Sequence, residues 1–470
     1  MMIYSILSFE AIVTIFTSRL YFLQIDEEDV TTYFERGDDM WKSIKYSNVC
    51  CVALLVLLFS LQNNLSGTHV QAATIKKQLV VIDPVIDQIT QQVLLNVRAN
   101  GFNPNAKTKR LVTGGLYVNW MMNDPQQTNS LNVSSNDDPP SSHDIQTDLY
   151  YLNALAEYKH LHPANSSFDA DIAKITPIVH DEFFNYNIPK GWVYFYLLRD
   201  GTFLHDPTLT DEACQAATNF YNNWYNRRLG LVYNKSHTPG VYSTEHSLTA
   251  GAALIDAGVR WKRIDWIQAG RSTLDTVMSA SYQTQAQLFF NNMSVNTDGS
   301  EIVSNYQAKS STQGSAVEAL MDAYVLTHDA LYLSIASQVL QGLFINNGLW
   351  DQRNGGLFFA LNMDSHALQN KYKETRAQTH ALVGLYRYNQ VMQTLGRPQI
   401  YLDKQQQLLT LLKSSFYQST YHGYFYRVTP TFQNYVSRAS NGSQQVEDYF
   451  TTEAMGLALD ALQQTEYTNQ

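Results

Sequence analysis

Apolar positions along this chain follow two different rhythms, and their alternation predicts its elements. Five stretches carry the three-to-four-residue spacing of an amphipathic helix: Gln78 to Val97, Phe168 to Phe184, Ile264 to Ala280, Leu331 to Phe344 and Tyr401 to Phe416. Asp83-Pro84 opens the first, an N-cap followed by proline at the first helical position. Each would keep one wet face. Between them lie helices of a second kind, with Ala or Gly at every turn and little charge: Asp144 to Tyr158, Thr244 to Val259, Ser311 to Tyr324, Glu374 to Tyr388 and Gln445 to Leu462. Small residues let neighbouring backbones approach closely, so these helices are expected to be packed on all sides.

A glycine-aromatic segment and a polar loop precede most of the second kind. Examples are Gly114-Gly115-Leu116-Tyr117-Val118-Asn119-Trp120, Gly230-Leu231-Val232-Tyr233, Gly355-Gly356-Leu357-Phe358-Phe359 and Gly423-Tyr424-Phe425-Tyr426. The helices that follow align without gaps. Ala252-Ala253-Leu254-Ile255-Asp256-Ala257 falls on Glu318-Ala319-Leu320-Met321-Asp322-Ala323, and on the segments beginning at His380 and Glu453. Copies about 60–75 residues apart signal repeated units, each unable to bury its own apolar face alone. The expected architecture is a ring of helical hairpins, with the charge-poor helices inside and the amphipathic ones outside. Gly191-Trp192-Val193-Tyr194-Phe195 followed by Asp211 to Tyr225 reads either as another strand-loop-helix unit or as an outer helix. That leaves five, six or seven pairs open. Pro125 to Ser142 reads as a long surface loop, and loops of that length are often functional.

The N-terminal end changes the picture of where the protein works. Trp41-Lys42-Ser43-Ile44-Lys45 gives a basic start, Asn48 to Leu61 an apolar run, and Val70-Gln71-Ala72 a small-x-small cleavage site. Together these predict a secretory signal peptide over residues 40–73, a mature toroid domain over 74–470, and a secreted or cell-surface bacterial protein. The apolar run of about a dozen residues is short for a stable membrane anchor. Residues 1–39 carry acidic groups where a signal would be basic, so we expect a misplaced gene start there, with a two-helix membrane hairpin as the competing reading. Of three cysteines, Cys50 and Cys51 leave with the signal, so Cys214 has no partner for an internal disulfide.

The net charge of −10 and pI near 5.6 argue against nucleic acid as a partner. Thirty tyrosines with abundant Asn and Gln are compatible with sugar binding, and equally with a bulky aromatic core. There is no His-Glu-x-x-His, no cysteine cluster, no Walker loop and no Gly-x-Ser-x-Gly elbow, so neither metal nor cofactor is expected. The expected partner is an oligo- or polysaccharide, and the expected state a monomer.

Asn354-Gly355-Gly356-Leu357-Phe358, Gln378-Thr379-His380-Ala381-Leu382 and Thr452-Glu453-Ala454-Met455 resemble scaffold motifs of the six-hairpin, (α/α)6-toroid superfamily. That superfamily holds many glycoside hydrolases and the N-acylglucosamine 2-epimerase group. The resemblance implies an all-α (α/α)6 toroid with short β-hairpins in the loops at one end. His143-Asp144 resembles the His-Asp near the catalytic aspartate of unsaturated glucuronyl hydrolases, without the Gly-aromatic continuation. Gln444-Gln445-Val446-Glu447-Asp448 resembles the acidic pairs of toroidal mannanases, without a true Asp-Asp. The epimerases use histidines on inner helices, and His246 and His380 match that role.

In such a ring the inner helices aim their N-termini at one end, where acidic groups gather in a funnel. The carboxylate pool is Asp144, Asp148, Glu374, Glu447 and Asp448, with Glu374 and Glu447 in one alignment column. Glycoside hydrolysis needs two carboxylates, one to protonate the leaving oxygen and one to activate water or attack carbon. Acids in a first helical turn are also favoured by the helix dipole alone. His246 and His380 are candidate acid/base groups. Trp120, Trp192, Tyr242 and Trp350 are candidate sugar platforms, and Arg376 either clamps an acidic sugar or pairs with Glu374. The leading reading is a secreted glycoside hydrolase. An epimerase and a non-catalytic glycan-binding toroid are the alternatives.

Overall fold

A computed structural model describes residues 82–107, 113–128, 145–232, 241–295, 302–304, 306–438 and 444–467. The export signal, the segment ahead of it and Asp144 lie outside the described residues. Twelve α-helices occur among them: α1 (Pro84–Asn96), α2 (Ile145–Leu161), α3 (Asp169–Phe183), α4 (Gly191–Leu204), α5 (Pro207–Asn219), α6 (Thr244–Arg260), α7 (Ile264–Ser281), α8 (Ser310–Thr327), α9 (Ala330–Gln341), α10 (Thr375–Thr394), α11 (Leu402–Lys413) and α12 (Thr452–Tyr467). The even-numbered helices form a closed inner circle: α2 packs on α4, α4 on α6, and so on to α12, which returns to α2. The odd-numbered helices back them from outside, α1 against α12 and each of the others against the inner helix before it. The ring therefore has six hairpins.

Burial separates the two layers as the composition predicts. On α8 every residue from Ser310 to Val317 is buried, whereas outer α11 buries only Leu408, Leu411 and Leu412. Inner helices approach closely because they carry glycine at the crossings. A Cβ on Gly314 would lie 2.5 Å from the backbone carbon of His380. At the start of α1, the Asp83 side chain caps the helix by accepting from Val85 N, with Pro84 next.

Two boundaries differ from the sequence reading. The segment Gly191 to Phe195 is the start of inner helix α4, not a strand, and α5 behind it is the outer helix. Its glycine is a contact residue: a Cβ on Gly191 would lie 2.0 Å from the Thr249 carbonyl oxygen. Trp192 therefore sits on a helix. Inner helix α12 begins at Thr452, because Gln444–Val446 and Tyr449–Thr451 are extended strands.

Five of the six outer-to-inner connections carry a two-stranded pairing: Phe102 with Leu116, Tyr225 with Val232, Tyr282 with Phe289, Trp350 with Leu357, and Tyr417 with Tyr424. The fourth residue of the following helix fastens four of them. Asp148 accepts from Leu116 N at 2.8 Å, Ser247 donates to Val232 O at 3.2 Å, and Gln313 and Gln378 each clasp both backbone groups of Phe289 and Leu357. The connection over residues 184–190 has no strand pairing. Tyr449–Thr451 pairs with Asn119–Met121, joining the last repeat to the first.

Candidate functional site

The first turns of the inner helices bring together groups far apart in sequence. Arg376, second residue of α10, lies between the second residues of α6 and α12. Its guanidinium reaches Glu245 at 2.5 Å and Glu453 at 3.3 Å. Acids suit these positions because the helix N-terminus is electropositive. Burial alone would raise the Glu245 carboxyl, but Arg376, His380 and His246 together hold it down at about 2.

Glu374, immediately before α10, has the opposite environment. It is 7% exposed, and no described side chain donates a hydrogen bond to its carboxyl. Burial raises it most. Arg427, Lys309 and Arg376 offset part of that, Glu453 adds to it, and the carboxyl is pushed up to about 7. One rim thus holds one carboxylate fixed as an anion and one carboxyl that keeps about half its protons at neutral pH. Environments that push two acids apart in this way mark acid/base assignments.

Below the rim the axis is closed by further ion pairs. His380 Nδ1 meets Glu318 at 2.8 Å, Arg387 meets Asp322 at 2.7 Å, and Arg199 meets Asp460 at 2.8 Å and Glu157 at 3.1 Å. Among these pairs is a cavity of about 50 Å³, lined by Trp192, Thr249, Glu318, His380, Arg387 and Asp460 among others. That is room for a few waters and not for a sugar ring.

Asp200 beside this axis is fully buried, and neither carboxylate oxygen has a hydrogen-bond partner among the described residues. Burial, only partly relieved by Arg199, raises its pKa well above the ordinary value. A carboxyl with a raised folded value stabilises the fold most below its unfolded value near 4, and the contribution is lost as pH rises toward the folded value. Asp200→Asn is therefore expected to gain thermal stability relative to the natural chain at pH 8 but not at pH 4. Equal differences in Tm at the two pH values would contradict this.

The other predicted residues are distributed unevenly. Glu447 is not equivalent to Glu374: it lies in the extended segment before α12, buried in a bidentate pair with Arg427. Arg427 also sits over the rings of Tyr372, Tyr426 and Tyr435 at 5.0–5.2 Å. Asp148 is wholly buried in the backbone clasp on Leu116, in register with Gln313 and Gln378, which points to a structural role. Asp448 is half-buried, and its backbone carbonyl accepts from Met122 N. His246 is half-buried at the α6 entry, and His380 lies lower, on the axial cavity. Arg376 pairs with Glu245 and Glu453 and not with Glu374. Trp120, Tyr242 and Trp350 are only 1–2% exposed, so their rings pack in the core and present no face to a sugar. Trp192 is half-buried and stacked on Tyr150, centroids 5.0 Å apart. Sequence reasoning did not single out Arg199, Arg387 or Asp460. The signal was isolated charges two turns apart on otherwise apolar inner helices. It also missed Tyr306, which is 60% exposed at the loop end.

No family model matches the sequence, and no curated protein matches it. The fold does match solved structures. An unsaturated glucuronyl hydrolase specific for heparin is 13% identical, with 82% of this chain and 97% of that one covered at a TM-score of 0.56. The unsaturated glucuronyl hydrolase of Streptococcus agalactiae is 10% identical, covering 82% and 92%, with a TM-score of 0.55. A GH76 α-mannanase of Bacteroides thetaiotaomicron is 12% identical, covering 82% and 97%, with a TM-score of 0.54. This chain shares the six-hairpin (α/α)6-toroid fold with both groups of sugar-cleaving enzymes.

Proposed function

We propose that the protein is a secreted glycoside hydrolase acting on an extracellular or cell-wall polysaccharide. The observation that carries this reading is the pairing, on one rim, of Glu374 at about 7 with Glu245 at about 2. Glu374 donates the proton to the leaving glycosidic oxygen. Glu245, held in place by Arg376, faces the oxocarbenium-like charge that develops as the bond breaks; a water then bonds that carbon, and its proton restores the donor. Glu453, on the other side of Arg376, completes the acidic rim. The fold is compatible, since inactive variants of a toroidal α-1,6-mannanase have been solved with mannotriose and mannotetrose bound. Export rests on the signal at residues 40–73.

The epimerase reading has less support. His380 is tied to Glu318 beside a cavity of about 50 Å³, too small for a free sugar. The deciding measurement is release of new reducing ends from a panel of neutral and acidic polysaccharides by the purified mature chain. Release from one of them supports the hydrolase. Binding without release supports the non-catalytic toroid, and interconversion of free sugars would restore the epimerase.

A further inference from the structure

Helix α8 enters the rim without the acid that both its neighbours in the circle bring. Glu245 stands in the first turn of α6, and Glu374 immediately precedes α10. The first turn of α8 opens Ser310-Ser311-Thr312, contains no acid, and is capped by no side chain. Its electropositive N-terminus therefore has no carboxylate of its own. The residue before it is instead a cation, Lys309, which ends the strand Gln307–Lys309.

Two polar groups at this entry are uncommitted. The Lys309 side chain is half-buried, and its ammonium has no ion-pair or hydrogen-bond partner among the described residues; it lies 5.4 Å from the centroid of the Phe359 ring. Lys190, at the same place before α4, donates to Gln146 Oε1 at 2.8 Å. Ser311 is only 5% exposed, and no described residue bonds its hydroxyl. The hydroxyls on either side are satisfied: Ser310 donates to Phe358 O and Thr312 to Asn291 Oδ1. Ser311 is the second residue of α8, the place from which Glu245, Arg376 and Glu453 reach the rim in their own helices. A hydroxyl so deeply buried calls for a partner, and here a ligand supplies it.

The donor set suits a tetrahedral oxyanion. An ammonium, a hydroxyl and the N–H groups of a helix start approach from different directions, as the oxygens of a phosphate require. A flat carboxylate is better matched by the fork of an arginine. The two arginines nearest Glu374 are already taken, Arg376 by Glu245 and Glu453, and Arg427 by Glu447. The entry also adjoins the proton donor, since Lys309 is among the charges that lower Glu374.

We propose that Lys309, Ser311 and the N-terminus of α8 bind a phosphate ester or phosphodiester carried by the glycan, so that the substrate is a phosphorylated polysaccharide. This rests on the hydrolase reading for its glycan, but its test is binding. The protein is run through native gels containing phosphomannan, the same mannan stripped of phosphate, a glycosylated poly(glycerol phosphate), or polygalacturonate. Release of reducing ends is followed separately. The chain is acidic overall and repels polyanions, so retardation by one requires a local site. Lys309→Met, or Lys309→Gln should it not fold, is expected to lose about tenfold in affinity for the phosphorylated polymer and Ser311→Ala about threefold, while Lys309→Arg keeps most of it. Circular dichroism and Tm confirm that each variant folds. On a polymer that is cleaved, a bound phosphate screens Lys309 from Glu374, so the alkaline limb of kcat/KM should lie at higher pH with phosphate present than with it stripped.

A natural chain that phosphorylated and stripped polymers retard equally overturns the proposal, as does a folded Lys309 variant retarded like the natural chain. Stronger retardation by polygalacturonate than by either phosphorylated polymer would make the entry a carboxylate site and equally overturn it. Retardation that depends on Lys309 and on phosphate, without any release of reducing ends, upholds the site and sinks the hydrolase. Cleavage with no preference for phosphate does the reverse.

Discussion

Glu374→Gln is expected to lower kcat on the cleaved polysaccharide about a thousandfold, with binding retained. The substitution keeps the shape of the side chain and removes only the transferable proton, and general acid catalysis contributes about 10²–10⁴ in rate. The pH profile carries the more discriminating readout. In the natural chain the proton donor must be protonated, so kcat/KM is expected to fall as pH rises through about 7, the value to which burial pushes Glu374. Toward acid the rate should hold well below pH 5, because Glu245 stays ionised down to about 2. Residual activity in Glu374→Gln should lack the alkaline limb. If the variant retains full activity, or its profile matches that of the natural chain, the donor lies elsewhere among the rim acids.

Arg427→Met is expected to destabilise the fold by about 3–5 kcal/mol, the usual cost of removing one partner from a buried pair. The side chains of Arg427 and Glu447 are 7% and 2% exposed, so solvent screens the remaining carboxylate very little. Burial already raises the Glu447 carboxyl above its ordinary value, with Arg427 the main group lowering it. The loss should therefore shrink as pH falls and Glu447 takes up a proton. Glu447→Gln in the same chain should recover a large part of it. Denaturant unfolding of the two single variants and the double one gives the coupling directly, and additive effects would show that the pair contributes nothing. Arg427 is also the largest influence lowering Glu374, whose strand it pairs with. Its removal should move the alkaline limb of activity to higher pH. One residue thus ties the stability of the loop end to the titration of the rim.

Much of the fold was legible because burial writes itself into composition. A helix packed on all sides carries small residues and few charges, so α6, α8 and α10 stood out, and the amphipathic stripe marked their outer partners. The N-cap at Asp83 was legible for a local reason, since it involves only neighbouring residues. Hairpin α4–α5 was obscured because glycine serves two purposes. Gly191 permits a close crossing against Thr249, yet in sequence it looks like the turn glycine of Gly230 or Gly356. The site was harder. Arg376 and Glu245 are 131 residues apart, and no local pattern announces their contact. Asp148 shows how a local pattern admits two readings. Its acid at an inner-helix entry suggested catalysis, but Gln313 and Gln378 occupy the same turn and do the same backbone work without a charge. Comparing side chains at that fourth position, instead of collecting acids, would have identified the clasp. Trp120, Tyr242 and Trp350 are buried for a related reason. Large rings on tight hairpins are what the ring buries first, and exposed Tyr306 lies outside that motif.

The strand pairing of Tyr449–Thr451 with Asn119–Met121 has a consequence for how the chain reaches this state. In an open solenoid each repeat leans only on its neighbours, so assembly can start anywhere and an end repeat can be shed. Here the first repeat has no second neighbour until the last one arrives, more than 300 residues later in synthesis. Contacts of such sequence separation are slow to form. Until then the molecule is an arc with bare inner flanks, so loss of the final helix leaves no shorter ring, only an unclosed one.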